Sequence, residues 1–337
     1  MKQLPVIAIA LILIIPIQGC FKEDLPVPRH PRGNVRTDTI AMTATYSIQV
    51  YYDLDSSGVV RTNEKKSSDL GFDCSDEGWI IRLNTADFMV AADMGEIQFG
   101  SSVDTSGRTW RFDSSDGNPD STAIGRWFSL NAWSDTVSNR HVYVINRGMD
   151  ESGNSLGFIQ LIIDSLKYGT YYFRFAPLTG SPVMFASVNK DPAVNFLWYS
   201  FTGNGSLQPL EPEKHTWDLL FTQYTTLLYT DLGEPYPYLV TGVLINRNNT
   251  MVSPDSTGSF DSISYEEAIG MSYSTHQDAI GFDWKYYNFE AGSYTVKPDL
   301  FYVIRNRKGD YYKLRFVGFY NNLGQKGYPS IEFQICP

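Results

Sequence analysis

The sequence predicts an all-β protein, organised as two tandem antiparallel β units behind an N-terminal signal peptide. Three observations carry that expectation: short alternating or β-branched runs between turn residues, a set of motifs that recurs once in the same order, and an apolar N-terminal stretch ending at a cysteine. The 337 residues include 22 Tyr, 20 Phe and 7 Trp, with only 19% charged, so the chain has enough apolar surface to offset the entropy of ordering. With 27 Lys+Arg against 37 Asp+Glu, the net charge of −10 argues against a nucleic-acid partner, which would call for clustered cations. Four histidines and three cysteines without a Cys-x-x-Cys pair leave little for a zinc site or a disulfide framework.

Residues 1–19 read as the signal peptide. Lys2 supplies the positive start, and Val6 to Ile17 is apolar, spanning only ~18 Å as a helix, too short for a retained membrane span. Ile17-Gln18-Gly19-Cys20 resembles the lipobox of bacterial lipoproteins, which implies that Cys20 is lipidated and anchors the chain to the outer membrane. Phe21-Lys22-Glu23-Asp24 resembles the acidic surface-export signal of Bacteroidetes lipoproteins and tilts the expectation to the cell surface, with the periplasmic face as the other option. Residues 20–39, with Pro26, Pro28 and Pro31, form an extended tether.

After residue 40 no long amphipathic helix is expected. Runs such as Thr45 to Tyr52, Trp79 to Leu83 and Tyr302 to Arg305 alternate or are β-branched, and Gly203-Asn204-Gly205, Lys308-Gly309-Asp310 and Asn322-Leu323-Gly324 read as hairpin turns. Tyr52 to Gly58 matches Tyr199 to Gly205 at an offset of 147, and Asp69-Leu70-Gly71-Phe72 matches Asp218-Leu219-Leu220-Phe221 at 149. Ile124-Gly125-Arg126-Trp127 matches Ile280-Gly281-Phe282-Asp283-Trp284 from 156, and Tyr143-Val144-Ile145-Asn146 matches Tyr302-Val303-Ile304-Arg305 at 159. Four collinear anchors predict two units, 40–184 and 185–337, each long enough for a core of its own.

The second unit carries a family resemblance. Its Trp217-Asp218-Leu219-Leu220-Phe221 motif, the strand Tyr302-Val303-Ile304-Arg305 and the strand Lys313-Leu314-Arg315-Phe316 resemble the HmuY family of Bacteroidetes lipoproteins over roughly 195–337, and the first unit holds degenerate copies. The resemblance implies an all-β fold and a haem-binding role without catalysis, with haem handed to a TonB-dependent outer-membrane receptor. Haem iron accepts His, Met, Tyr or Cys ligands. The founding member uses two loop histidines, and this chain departs from that pattern, because the corresponding stretch holds only His276. His276, Met271 and Tyr287 are therefore the axial-ligand candidates, and Arg305, Arg307 and Lys313 are the cations that would meet the propionates. Each also has a plainer role: a solvated loop histidine, a core-filling thioether, a ring lining a slot.

Other polar groups read as structural. Asp218, recurring as Asp69, is expected to be a buried carboxylate accepting backbone N–H groups, and the acidic run Asp113 to Asp120 a solvated turn in preference to a calcium loop. Cys74 and Cys336 are either a cross-link or two buried thiols. With no Gly-x-Ser-x-Gly, phosphate-loop or His-Glu-x-x-His motif, a binding protein is the default over an enzyme. The leading expectation is a haem- or porphyrin-binding surface lipoprotein. Its rival is a cell-surface interaction or glycan-binding lipoprotein that kept the fold without haem.

Overall fold

In the computed structural model, residues 35–131 and 136–336 are described, so the signal peptide, Cys20 and most of the tether lie outside the described residues. The strands follow one another as short, aromatic or β-branched runs. The first part of the chain gives β1 (Arg36–Thr39), β2 (Ile48–Asp53), β3 (Gly58–Glu64), β4 (Leu70–Asp73), β5 (Ile81–Leu83) and β6 (Val90–Asp93). It continues with β7 (Phe128–Leu130), β8 (Thr136–Ser138), β9 (Val142–Asn146), β10 (Phe158–Lys167) and β11 (Thr170–Pro177). The second part gives β12 (Met184–Asn189), β13 (Phe196–Ser200), β14 (Ser206–Gln208), β15 (Leu219–Tyr229), β16 (Pro235–Ile245) and β17 (Met251–Asp255). One short helix, α1 (Tyr265–Gly270), precedes β18 (Lys285–Asn288), β19 (Ser293–Val296), β20 (Phe301–Arg305), β21 (Tyr311–Tyr320) and β22 (Lys326–Ile335). Ser264 and Glu267 cap α1 reciprocally.

The sheets are antiparallel, as expected for an all-β chain. Two five-stranded sheets have the orders β12-β11-β10-β9-β6 and β1-β22-β21-β20-β17, and two four-stranded sheets have the orders β14-β13-β4-β5 and β16-β15-β2-β3. Three strand prolines lie on edges, where the ladder least needs their N–H: Pro235 and Pro237 on β16, and Pro254 on β17. Gly203 and Gly205 both take positive φ (67° and 82°) in the turn between β13 and β14.

Two large apolar cores result, but they do not divide at 184/185. The first lobe packs Leu70, Phe72, Trp127, Tyr143, Leu161 and Phe173 together with Val188, Tyr199 and Phe201. The second packs Leu219, Phe221, Trp284, Tyr302, Phe316 and Phe333 together with Ile40, Val50, Tyr52 and Leu54. The expectation of two self-contained units, 40–184 and 185–337, is corrected accordingly. The reason lies in strand pairing: β13 pairs with β4, β2 with β15, and β1 with β22, so the opening strands of each segment complete the core of the other.

The residues that suggested the repeat occupy matched places in this exchange. Asp69 N–H donates to the Tyr199 carbonyl (2.8 Å), and Asp218 N–H to the Tyr52 carbonyl (2.9 Å). In return Phe201 N–H donates to the Asp69 carboxylate (2.6 Å) and Leu54 N–H to the Asp218 carboxylate (3.0 Å). Asn84 and Asn246 N–H close the pattern on the Asp69 and Asp218 carbonyls, each at 2.8 Å. Asp218 and Asp69 are thus buried carboxylates serving the backbone, as expected.

Candidate binding cleft

The β15–β16 hairpin is the longest among the described residues, eleven residues paired with eleven. Its inner half belongs to the second core, while its outer half runs past that core and carries exposed Tyr236 and Tyr238. A second hairpin, β18–β19, stands opposite. Its register sets Lys285 against Val296 and Tyr287 against Tyr294, so Lys285, Tyr287, Tyr294 and Val296 share one face. Between the hairpins lies a cleft of about 610 Å³, lined by Tyr46, Tyr236, Tyr238, Tyr286, Tyr287 and Tyr294 and by three cations, Lys285, Lys297 and Lys326. That volume is in the range that takes a small-molecule ligand or cofactor.

Trp284, just outside the lining, is 1% exposed and stacks on Phe316 at 3.9 Å between ring centroids. Lys285 follows it and is itself only 8% exposed. Its ammonium lies 4.2 Å from the Trp284 ring centroid and 5.0 Å from that of Phe319, and donates to the Thr241 carbonyl at 2.5 Å. Burial pulls its pKa down to about 7, with Asp283 acting in the opposite sense. Lys297 and Lys326 sit at the exposed rim, where Lys326 lies over the Tyr46 ring at 5.2 Å. Neither rim lysine makes an ion pair among the described residues. The cleft therefore offers flat aromatic walls, phenol oxygens and two exposed rim lysines, with Asp283 and Lys285 deeper in the lining, on a protein whose net charge is −10.

Of the residues singled out in the sequence, only Tyr287 lines this cleft. It is 43% exposed and makes edge contacts with Tyr294 and Phe289. His276 lies in an exposed loop, its own N–H donating to Ser274 Oγ. Met271 ends α1 and packs against a small core of Phe260, Ile263, Phe301 and Cys336, so the plainer reading of that thioether fits. The three proposed propionate cations do not line the cleft. Arg307 is held by three carboxylates, Asp218 at 2.8 Å, Asp53 at 2.9 Å and Asp55 at 3.6 Å. Lys313 is 1% exposed beneath the Phe260 ring and donates to the carbonyls of Asp261 and Ile263. Arg305 is half-buried, with Nη1 3.8 Å from Met251 Sδ. Arg307 and Lys313 are corrected from ligand-facing to structural cations, since a buried cation already hydrogen-bonded inside the fold has no route to a propionate.

The sequence reading missed Lys285, Lys297, Lys326 and the facing tyrosines of β16. A signal was present in the β18–β19 hairpin, whose turn at Gly292 (φ 61°) is flanked by Lys285-Tyr286-Tyr287 and Tyr294 to Lys297. Elsewhere, Asp113 is a buried acceptor for the N–H groups of Leu83 and Ala123, and Cys74 and Cys336 are both free and buried. Among the described residues, no group of three His, Cys, Asp or Glu side chains is placed to hold a metal ion, and no helix is long and apolar enough to cross a membrane.

Comparison with known proteins places this architecture. No curated protein matches the chain. Among solved structures, apo PinO from Porphyromonas gingivitis matches at 8% identity and a TM-score of 0.30, covering 90% of this chain and 98% of that one. The apo HmuY analog TFO from Tannerella forsythia matches at 9% identity and a TM-score of 0.26, covering 90% of this chain and 96% of that one. The family model described as HmuY protein matches residues 45–333, a wider span than the 195–337 that carried the resemblance in the sequence. That span takes in strands of both lobes from β2 onward, and the chain belongs to the HmuY family.

Proposed function

We propose that this protein binds haem or a related porphyrin, without catalysis, in the cleft between the β15–β16 and β18–β19 hairpins. The observation that carries the reading is the pairing of tyrosine walls with cations at one site. A porphyrin presents a flat apolar ring, two carboxylates and an iron that accepts a phenolate. In this reading Tyr287 is the iron ligand, Lys297 and Lys326 meet the propionates, and the facing tyrosines cover the ring. His276 and Met271 stand outside the ligand set. The proposal extends to the chain as a whole: a lipid on Cys20 tethers it to the outer membrane, facing outward, and the haem is passed to a TonB-dependent receptor. It also holds that the chain arose from two copies of one β unit whose first three strands have changed places, a reading supported by the matched roles of Leu54 with Phe201 and Asp218 with Asp69.

Haemin titration of the purified protein tests the ligand. A saturable Soret band at micromolar haemin is expected, with a maximum that moves in Tyr287→Phe and stays put in His276→Ala. A titration without a saturable band overturns the proposal and favours an interaction or glycan-binding protein. A band unchanged in Tyr287→Phe removes that residue from the iron.

A further inference from the structure

A second cavity, of about 90 Å³, lies where the two four-stranded sheets face each other. It is lined by residues of both, among them Arg82 from β5, Trp198 from β13, Leu220 from β15, and Trp217 just before β15. Its polar groups are unevenly matched. The two carboxylates on its wall are already engaged: Asp113 accepts from Leu83 N–H (2.9 Å) and Ala123 N–H (2.8 Å). Glu211 accepts from the N–H groups of Asn195 and Phe196, both at 3.0 Å, and from Asn195 Nδ2 at 2.7 Å. Burial pushes both acids up, to about 6 for Asp113 and about 7 for Glu211, and the backbone and amide N–H groups that they accept work against that shift.

Three buried donors of the same wall have no hydrogen-bond partner in the protein: Arg82 Nε, Trp198 Nε1 and Trp217 Nε1. Trp217 is 4% exposed. Arg82 and Arg247 lie 5.1 and 5.0 Å from the Phe196 ring centroid, which brings two guanidinium charges to this cavity. Unpaired N–H groups in a buried site are costly, and an indole or guanidinium nitrogen can only donate, so the occupant must be an acceptor. An anion accepts from several donors at once without needing a partner for a proton of its own. We propose that this cavity is a binding site for one small monovalent anion, a halide or a carboxylate as small as formate, held by Arg82, Trp198 and Trp217 and locking the two sheets together.

The test uses bromide as the probe. Protein exchanged into sodium gluconate, whose anion is too large for the cavity, is titrated with bromide at constant ionic strength. A saturable rise in Tm with parallel quenching of tryptophan emission is expected. In crystals grown with bromide, an anomalous peak is expected within hydrogen-bond distance of Trp198 Nε1 and Trp217 Nε1. Trp198→Phe and Trp217→Phe keep a ring but remove one donor each, and should weaken bromide binding by about tenfold or more. If one variant fails to fold, the other and the anomalous map decide the matter. A linear, unsaturated salt response, equal responses in variant and parent, or water in place of bromide in the map would overturn the assignment. Formate that raises Tm in the same saturable way extends the site to carboxylates, and formate without effect confines it to halides; both outcomes retain the anion.

Discussion

Behind Trp127 in the first lobe the chain continues with Phe128, and behind Trp284 in the second it continues with Lys285. Both tryptophans are 1% exposed, and both follow a glycine of positive φ, Gly125 (62°) and Gly281 (64°). A hairpin then leaves the core in each lobe, β7–β8 in one and β18–β19 in the other. The first reads Phe-Ser-Leu and ties itself down through Ser138 and Thr136, whose hydroxyls donate to the Ile163 and Leu166 carbonyls of β10. The second reads Lys-Tyr-Tyr-Asn and faces a long hairpin wall. In the first lobe β4 and β5, which pair as β15 and β16 do, have only four and three residues. One frame thus has two outcomes: a closed hairpin over the core, or a cleft between two extended ones. Extra strand length and a change from Phe to Lys, Ser to Tyr and Leu to Tyr account for the difference.

The frame itself is asymmetric in charge, and the largest expected effects lie there. Asp69 holds Arg147 through two bonds, at 2.6 and 3.0 Å, and among the described residues Arg147 has no other carboxylate. In the second lobe Asp218 shares Arg307 with Asp53 and Asp55. Burial outweighs Arg307 in raising the Asp218 carboxyl to about 6. Asp69→Ala should therefore cost about 3–5 kcal/mol, because it strands a largely buried guanidinium, and Asp218→Ala less, about 2 kcal/mol, because Arg307 keeps two partners. Urea midpoints of the two variants decide it, and the reverse order would break the comparison.

Lys285 sharpens the comparison through pH. Its folded pKa of about 7 lies below the ordinary value of 10.5, so between those limits the unfolded chain binds more protons than the folded one. The stability contributed by the neutral amine grows as pH rises from about 7 to 10.5 and is absent below 7. Lys285→Met should flatten that rise by a few kcal/mol, since each tenfold loss of proton affinity on folding is worth about 1.4 kcal/mol. Phe128→Leu, at the matched place in the first lobe, should leave the pH slope as it is. Thermal unfolding of the three proteins at pH 7 and pH 10 provides the measurement.

The rim lysines come next. Lys297→Gln and Lys326→Gln should each lower haemin affinity by about tenfold, the effect of losing one charge-assisted hydrogen bond, and reduce its sensitivity to salt. Equal affinity in the double variant and the parent would place the propionates elsewhere.

These contrasts also explain what was legible in the sequence. Strand identity was, because alternation, β-branching and turn glycines act locally, and so was the recurrence of Asp69 with Asp218 and of Trp127 with Trp284. The exchange of strands was not, since a run such as Thr45 to Tyr52 carries its hydrophobic pattern but no mark of the partner it will meet. The same limit hid the cleft. Tyr287 was visible as a ring in a loop-rich stretch, while the wall it faces, Tyr236 and Tyr238, lies some fifty residues earlier. Lys313 and Arg307 looked free because a charged residue beside a turn or on a strand usually is. Burial beneath Phe260 and the three aspartates around Arg307 depend on segments distant in sequence.

The smallest expected effect sits where the two matched Asp-Leu-x-Phe motifs differ, at Gly71 against Leu220. A Cβ added at Gly71 would lie 3.1 Å from the Trp198 ring, so the indole must move by a few tenths of an ångström to admit it. Gly71 lies within β4, where a side chain would otherwise favour the strand, so Ala gains a little in backbone entropy and loses by displacing a packed ring. The displaced ring outweighs the backbone gain, and Gly71→Ala should destabilise by about 1 kcal/mol. Leu220→Ala removes a side chain from the wall of the small cavity and leaves Gly71 in place beneath the Trp198 ring. Because Trp198 Nε1 is one of the three donors there, Gly71→Ala should also change tryptophan emission before any bromide is added, whereas Leu220→Ala, which widens the same cavity, should lower stability and weaken bromide binding while leaving the bromide-free emission closer to that of the parent. Emission that is the same in both variants would mean that the Trp198 ring is not what fixes glycine at position 71.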